Sequence, residues 1–175
     1  MTSSPVRIRT ATVADAEAIR AIYNVEVSTS TVTFDLVERS LDEQRRWILN
    51  RSGAHAVTVA IDDHGEVVGF GSLSPYRDRP AYSTSVESSV YVHRDHHRRG
   101  VGSAIVADLV DRAASHGFHA LFARIVAGHT PSIELHRALG FETVGIERQV
   151  GRKFGRWLDV TVMERLLASA ERPTT

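Results

Sequence analysis

The stretch "VYVHRDHHRRGVGSAIVADLV", residues 90–110, narrows the possible folds more than any other. An apolar run with β-branched residues ends abruptly. Seven polar residues follow, Arg94, Arg98 and Arg99 among them. Gly100 and Gly102 then precede a segment whose apolar residues recur at helical spacing. The pattern predicts a strand over 84–92, a tight loop, and a helix over 101–116 closed by Gly117. The first amides of such a helix are unpaired donors at the positive end of its dipole. Glycines let a backbone approach a bulky anion, and arginines add charge-assisted bonds. A phosphate or pyrophosphate cradle fits this chemistry. A glycine-containing turn with a solvated basic surface fits the same residues.

The remaining segments extend the pattern on both sides. "VRIR" at 6–9 reads as a strand, and Thr12 with Asp15 resembles a capping box before a helix that fades near Ser28. Residues 28–36 read as a loop or short strand. Ser40 with Glu43 caps a helix to about Asn50. "HAVTVAI" and "EVVGFGSLS" flank "DDHG", a hairpin pattern. "ALFARIV" at 120–126 is a strand. Thr130-Pro131 opens a helix that Gly140 ends. "FETVGIERQV" and "RWLDVTVMERL" form a last strand pair. The order β-α-α-β-β-β-α-β-α-β-β predicts an α/β fold, one domain over 1–175 with a core at about 5–167 and a tail at 168–175.

Composition excludes several classes. The 21 basic and 21 acidic side chains of the 175 residues balance, against a general nucleic-acid or membrane-surface binder. There is no cysteine, hence no disulfide, no thiolate nucleophile and no Cys-based zinc site. His93, His96 and His97 find only Asp95 nearby, so no metal is assigned. No apolar run of about 18 residues suggests a membrane span, and "MTSSPVRIRT" lacks a secretory h-region, so a cytoplasmic protein is expected. Neither the P-loop nor the Rossmann glycine pattern occurs.

"HHRRGVGS" resembles motif A, Q/R-x-x-G-x-G/A, of the GNAT superfamily of N-acetyltransferases. Gly100 and Gly102 match its glycines; His97 replaces the usual Gln or Arg. "HTPSIELHRALGFETVG" resembles the motif B helix and following strand, and "IRTATVADAEAIRAIYN" is similar to the opening strand and helix. "TFD", "YRDRPAY", "SVESSVYV", "LHRALGF" and "GRWLDV" further resemble the phosphinothricin acetyltransferase-like subfamily. The resemblance implies a mixed, mostly antiparallel sheet flanked by helices, acetyl-CoA as cosubstrate, and a small amino acid as acceptor. It implies no metal, no nucleic-acid partner, and a symmetric homodimer. Phosphinothricin, methionine sulfoximine and methionine sulfone are the acceptor type.

The resemblance also assigns roles. Backbone groups of Val90, Tyr91 and Val92 would meet the acetyl carbonyl and pantetheine arm. His97, Arg98, Arg99, Gly100, Val101, Gly102 and Ser103 would surround the pyrophosphate. His129, in place of a usual asparagine, and Ser132 would meet the CoA arm. Glu87 is the candidate base, or a solvent-facing strand residue in an ion pair. His136, where relatives often carry tyrosine, would protonate the thiolate or bind substrate, or be a structural histidine. Arg77 and Arg79 would hold the acceptor's acidic groups, with Thr33, Phe34 and Tyr82 as walls and Trp157 and Asp159 nearby. Acetylation of protein N-termini or lysines, and acyl-CoA sensing without turnover, are the alternative functions.

Overall fold

One side chain shapes the hairpin at "DDHG". The Asp62 carboxylate accepts the N–H groups of His64 and Glu66 at 3.0 and 2.9 Å, folding the chain between two apolar strands. In the computed structural model, which describes residues 6–51 and 53–167, the order is β1 (Arg7–Thr10), α1 (Ala16–Thr29), α2 (Leu41–Leu49), β2 (Val57–Ile61), β3 (Val67–Pro75), β4 (Ser85–Val92), α3 (Val101–Ser115), β5 (Ala120–Val126), α4 (Thr130–Ala138), β6 (Glu142–Lys153) and β7 (Arg156–Leu166). The order of elements expected from the sequence is the order observed. The tail expected at 168–175 lies outside the described residues.

Local chemistry sets the helix starts. Before α1, Thr12 N–H donates to the Asp15 carboxylate at 2.7 Å, and Arg9 pairs with that carboxylate at 2.8 Å. Before α2, Ser40 and Glu43 form the reciprocal capping box: Glu43 N–H donates to Ser40 Oγ, and Ser40 N–H donates to Glu43 Oε2.

The seven strands lie in the order β1-β2-β3-β4-β5-β7-β6. Every neighbouring pair is antiparallel except β4 and β5. Both faces are covered. On one face α1 and α2 bury Ile19, Tyr23, Val27 and Ile48 against Val59 and Phe70. On the other, α3 buries Ile105, Val106 and Leu109 against Val86, Leu121 and Met163. Each fully buried large aliphatic contributes roughly 1.5–3 kcal/mol.

Of the loop or short strand expected at 28–36, the structure shows a loop at 30–39, with Ser28 and Thr29 still in α1. One strand boundary needs correction. β6 runs to Lys153, past the expected end at 150, because a bulge between Glu147 and Gly151 absorbs the extra residues. Asp159 holds that bulge by accepting Gln149 N–H at 2.7 Å.

One irregularity positions the site. The parallel β4–β5 pairing covers only Ser85↔Ala120 to Ser88↔Ala123. Beyond it, residues 89–92 pair with β3 alone and 124–126 with β7 alone. The two strands part, and their inner edges face each other across a gap.

Candidate active site

The gap opens into a cleft of about 620 Å³. Its walls are the parted ends of β4 and β5, the loop before α3, and the start of α4. It gathers Val90, Tyr91, Val92, His97, Arg98, Gly100, Val101, Gly102, Ser103, His129, Ser132 and His136, which lie far apart in sequence. Arg99 is exposed on the same turn and is not among the walls.

The loop before α3 takes its shape from two left-handed residues, Arg98 at φ 57° and Gly100 at φ 78°. Gly100 caps the helix, and a Cβ there would meet nothing within 4 Å. Glycine is needed at 100 for its backbone angle. Gly102 lines the cleft and also packs against α4. A Cβ at 102 would lie 2.8 Å from Leu135 Cδ1, so this glycine lets α3 and α4 close on each other.

The histidines of the loop are used locally. His97 Nε2 donates to Val92 O at 3.0 Å, and His93 Nδ1 accepts Asp95 N–H at 3.3 Å. Among the described residues no group of three or more His, Asp or Glu side chains is arranged to hold a metal ion.

His136 is buried at 2% exposure and packs edge-on against Phe141. Its Nδ1–H donates to Ser132 O at 2.8 Å, which leaves Nε2 with its lone pair. Burial pushes its pKa below the ordinary imidazole value, so the ring is neutral near pH 7. A neutral ring carries no proton on Nε2 for a leaving thiolate. His129, at the start of α4, is also pushed down by burial, with His97 adding to the effect.

Glu87 lies on β4 one residue before the last β4–β5 pair, in register with Phe122 and Ser74, and is not itself among the residues that line the cleft. Burial pushes its carboxyl above the ordinary range, Arg124 opposes this, Glu147 adds to it, and Arg77 opposes it again. Glu87 thus lies within the field of Arg124, Glu147 and Arg77, of which Arg124 and Glu147 are paired with each other. Phe122 stacks on Tyr76 with centroids 4.2 Å apart, and Tyr76 meets Tyr82 edge-on. Arg77 sits over the Tyr76 ring at 5.1 Å. Arg79 is exposed at the head of a short turn holding Tyr82.

The other expected wall residues are more dispersed. Thr33 is buried beside the Tyr23 hydroxyl at 2.9 Å, and Phe34 lies against Gly151. Trp157 is 61% exposed under Arg152. None of these lines the cleft.

Several residues in or beside the site were not anticipated. Glu26 lines the cleft from α1 and pairs with Arg94 at 2.8 Å. Lys153, buried and the sole lysine, donates to Thr33 O at 2.9 Å and to Glu26 O at 3.4 Å, tying the loop after α1 to β6. Arg124 lines the cleft and pairs with Glu147.

A parted parallel strand pair, a left-handed glycine cap and a helix start on one cleft invite comparison with known proteins. The family model for the acetyltransferase (GNAT) domain matches residues 8–162. The chain belongs to the GNAT acetyltransferase family. This acetyltransferase is 40% identical over 158 residues to the L-methionine sulfoximine/L-methionine sulfone acetyltransferase of Pseudomonas aeruginosa, covering 90% of this chain and 92% of that one. It resembles the phosphinothricin acetyltransferase of Sinorhizobium meliloti, solved in complex with acetyl-CoA, at TM-score 0.90 and 36% identity over 99% of this chain and 94% of that one. The ribosomal-protein-alanine N-acetyltransferase of Brucella melitensis gives TM-score 0.89 and 40% identity over 92% and 99%. Among the described residues of the acetyltransferase, no helix is long and apolar enough to cross a membrane.

Proposed function

We propose that this single-domain acetyltransferase moves the acetyl group of acetyl-CoA directly to the α-amine of a small amino acid of the methionine sulfoximine, methionine sulfone or phosphinothricin type. The single observation that carries the reading is the parting of β4 and β5 after Ser88 and Ala123, next to a left-handed glycine helix cap. Val90, Tyr91 and Val92 border that gap and present the backbone that meets the thioester. The amides at the start of α3, with Arg98, hold the pyrophosphate; His129 and Ser132 meet the arm.

Proton accounting divides the labour between two side chains. The acceptor arrives as an ammonium and must lose one proton to become a nucleophile and a second once its nitrogen has attacked. The departing thiolate needs one proton back. Glu87, with its raised carboxyl, takes the first proton, directly or through water, and releases it to solvent. His136, neutral with a free Nε2, takes the second and returns it to sulfur. Arg77 and Arg79 meet acidic or oxo groups of the acceptor, and Tyr82, Thr33 and Phe34 shape the approach.

The protein works in the cytoplasm as a homodimer. Val144, Ile146, Val150, Phe154 and Trp157 are all exposed along the outer β6–β7 pair, which favours a second copy covering them. Sedimentation at the mass of two chains supports this; the mass of one chain opposes it. The catalytic reading is tested by thiol release from acetyl-CoA with and without amino acid. Release that depends on the acceptor supports it, whereas binding without release would make the protein an acyl-CoA sensor.

A further inference from the structure

Arg124 occupies the first β5 position beyond the last β4–β5 pair, Ser88↔Ala123. By strand alternation its side chain shares a face with Phe122, the register partner of Glu87. It is the arginine of β5 that lines the cleft, whereas Arg77 and Arg79 do not line it. Its Nη1 donates to Glu147 Oε1 at 2.8 Å and its Nη2 to Glu147 Oε2. Glu147 reaches it from β6 across the intervening β7. The two side chains are 28% and 32% exposed. A bidentate pair fixes the guanidinium plane, and the contact uses two of its N–H donors and leaves the rest.

We infer that Arg124, oriented by Glu147, takes the acceptor's α-carboxylate, while Arg77 meets the far end of the acceptor. The inference rests on the function proposed above. An α-carboxylate is attached beside the reacting nitrogen, so its partner must stand next to the place where acetyl transfer occurs. Arg124 stands there, at the mouth of the parted strands and on the Glu87 face. Arg77 lies on the exposed loop over Tyr76, where solvent screens it. Glu147 also balances the charge of Arg124. The pair is neutral, so it does not gather simple anions or polyamines. A zwitterion offers a carboxylate to Arg124 and an ammonium within the field of Glu147 and Glu87. Free α-amino acids are therefore the substrate class, and peptide N-termini, amides and esters are selected against because they lack the carboxylate.

The test compares kcat/KM for methionine sulfone and for its carboxamide, in wild type, Arg124→Met, Arg124→Lys and the double variant Arg124→Met/Glu147→Met. The double variant removes both charges together, so no unpaired glutamate is left to disturb folding. Calorimetric binding of acetyl-CoA reports that each variant retains its cleft. Wild type is expected to prefer the acid by about 10- to 100-fold. Arg124→Met and the double variant should lose that preference, with the KM for acetyl-CoA within about twofold of wild type. Arg124→Lys, which keeps the charge and loses the fork, should fall between. Arg77→Ala should weaken discrimination between methionine sulfone and methionine and leave the acid-over-carboxamide preference intact. A double variant that still prefers the acid overturns the inference alone. Wild type that acetylates peptides and no free amino acid overturns the proposed function, and the inference with it.

Discussion

Gly102 of α3 faces Leu135 of α4 so closely that a Cβ would sit 2.8 Å from Leu135 Cδ1. Gly102→Ala should therefore destabilise the protein only slightly, by less than about 1 kcal/mol, because the end of the Leu135 side chain can turn aside and alanine gains helix propensity. Pairing it with Leu135→Val, which removes the struck carbon, should return part of the loss. Denaturant unfolding of the single and double variants measures both. A loss well above that would mean the Leu135 side chain is held in place.

Glu87 carries a cost in stability if it serves in proton transfer. Burial raises its pKa, so the folded protein holds a proton that the unfolded chain has already released. The penalty grows as pH rises above the ordinary glutamate value. Glu87→Gln removes the penalty and the base together. The variant should show a higher Tm than wild type at pH 8. Its kcat should fall by about 10²–10⁴ while acetyl-CoA affinity is unchanged. Unchanged kcat would remove Glu87 from the chemistry.

The histidines give the opposite pH sign. His55, His129 and His136 are each pushed below the ordinary imidazole value, chiefly by burial. Below about pH 6.5 the unfolded chain binds protons that the folded protein refuses. Their contribution is complete above that pH and is lost as pH falls below it. The Tm of wild type should drop between pH 7 and pH 5.5. His136→Gln should show a shallower drop. An equal drop would mean His136 is as easily protonated folded as unfolded.

Much of the fold is legible because its boundaries are local. Ser40 with Glu43, Thr130-Pro131 and the "DDHG" turn each act within a few residues. The glycine loop before α3 is legible for the same reason. The acceptor side is not. Arg124 meets Glu147 only because β7 inserts between β5 and β6, and a bulge sets the register. Lys153 reaches Thr33 across 120 residues. Such contacts depend on strand order, which periodicity does not encode. Gly102 shows the remaining difficulty. Its position in the motif was plain, yet its packing against Leu135 belongs to two helices and not to one loop.

The most direct measurement is acceptor-dependent thiol release from acetyl-CoA across a panel of methionine sulfone, methionine sulfoximine, phosphinothricin, the common amino acids, polyamines and N-terminal peptides. Selective turnover of the sulfone, sulfoximine and phosphinothricin is the predicted result. Turnover confined to peptides or polyamines would contradict the account: the cleft between β4 and β5 would keep its thioester, and the Glu87 face would need a different acceptor.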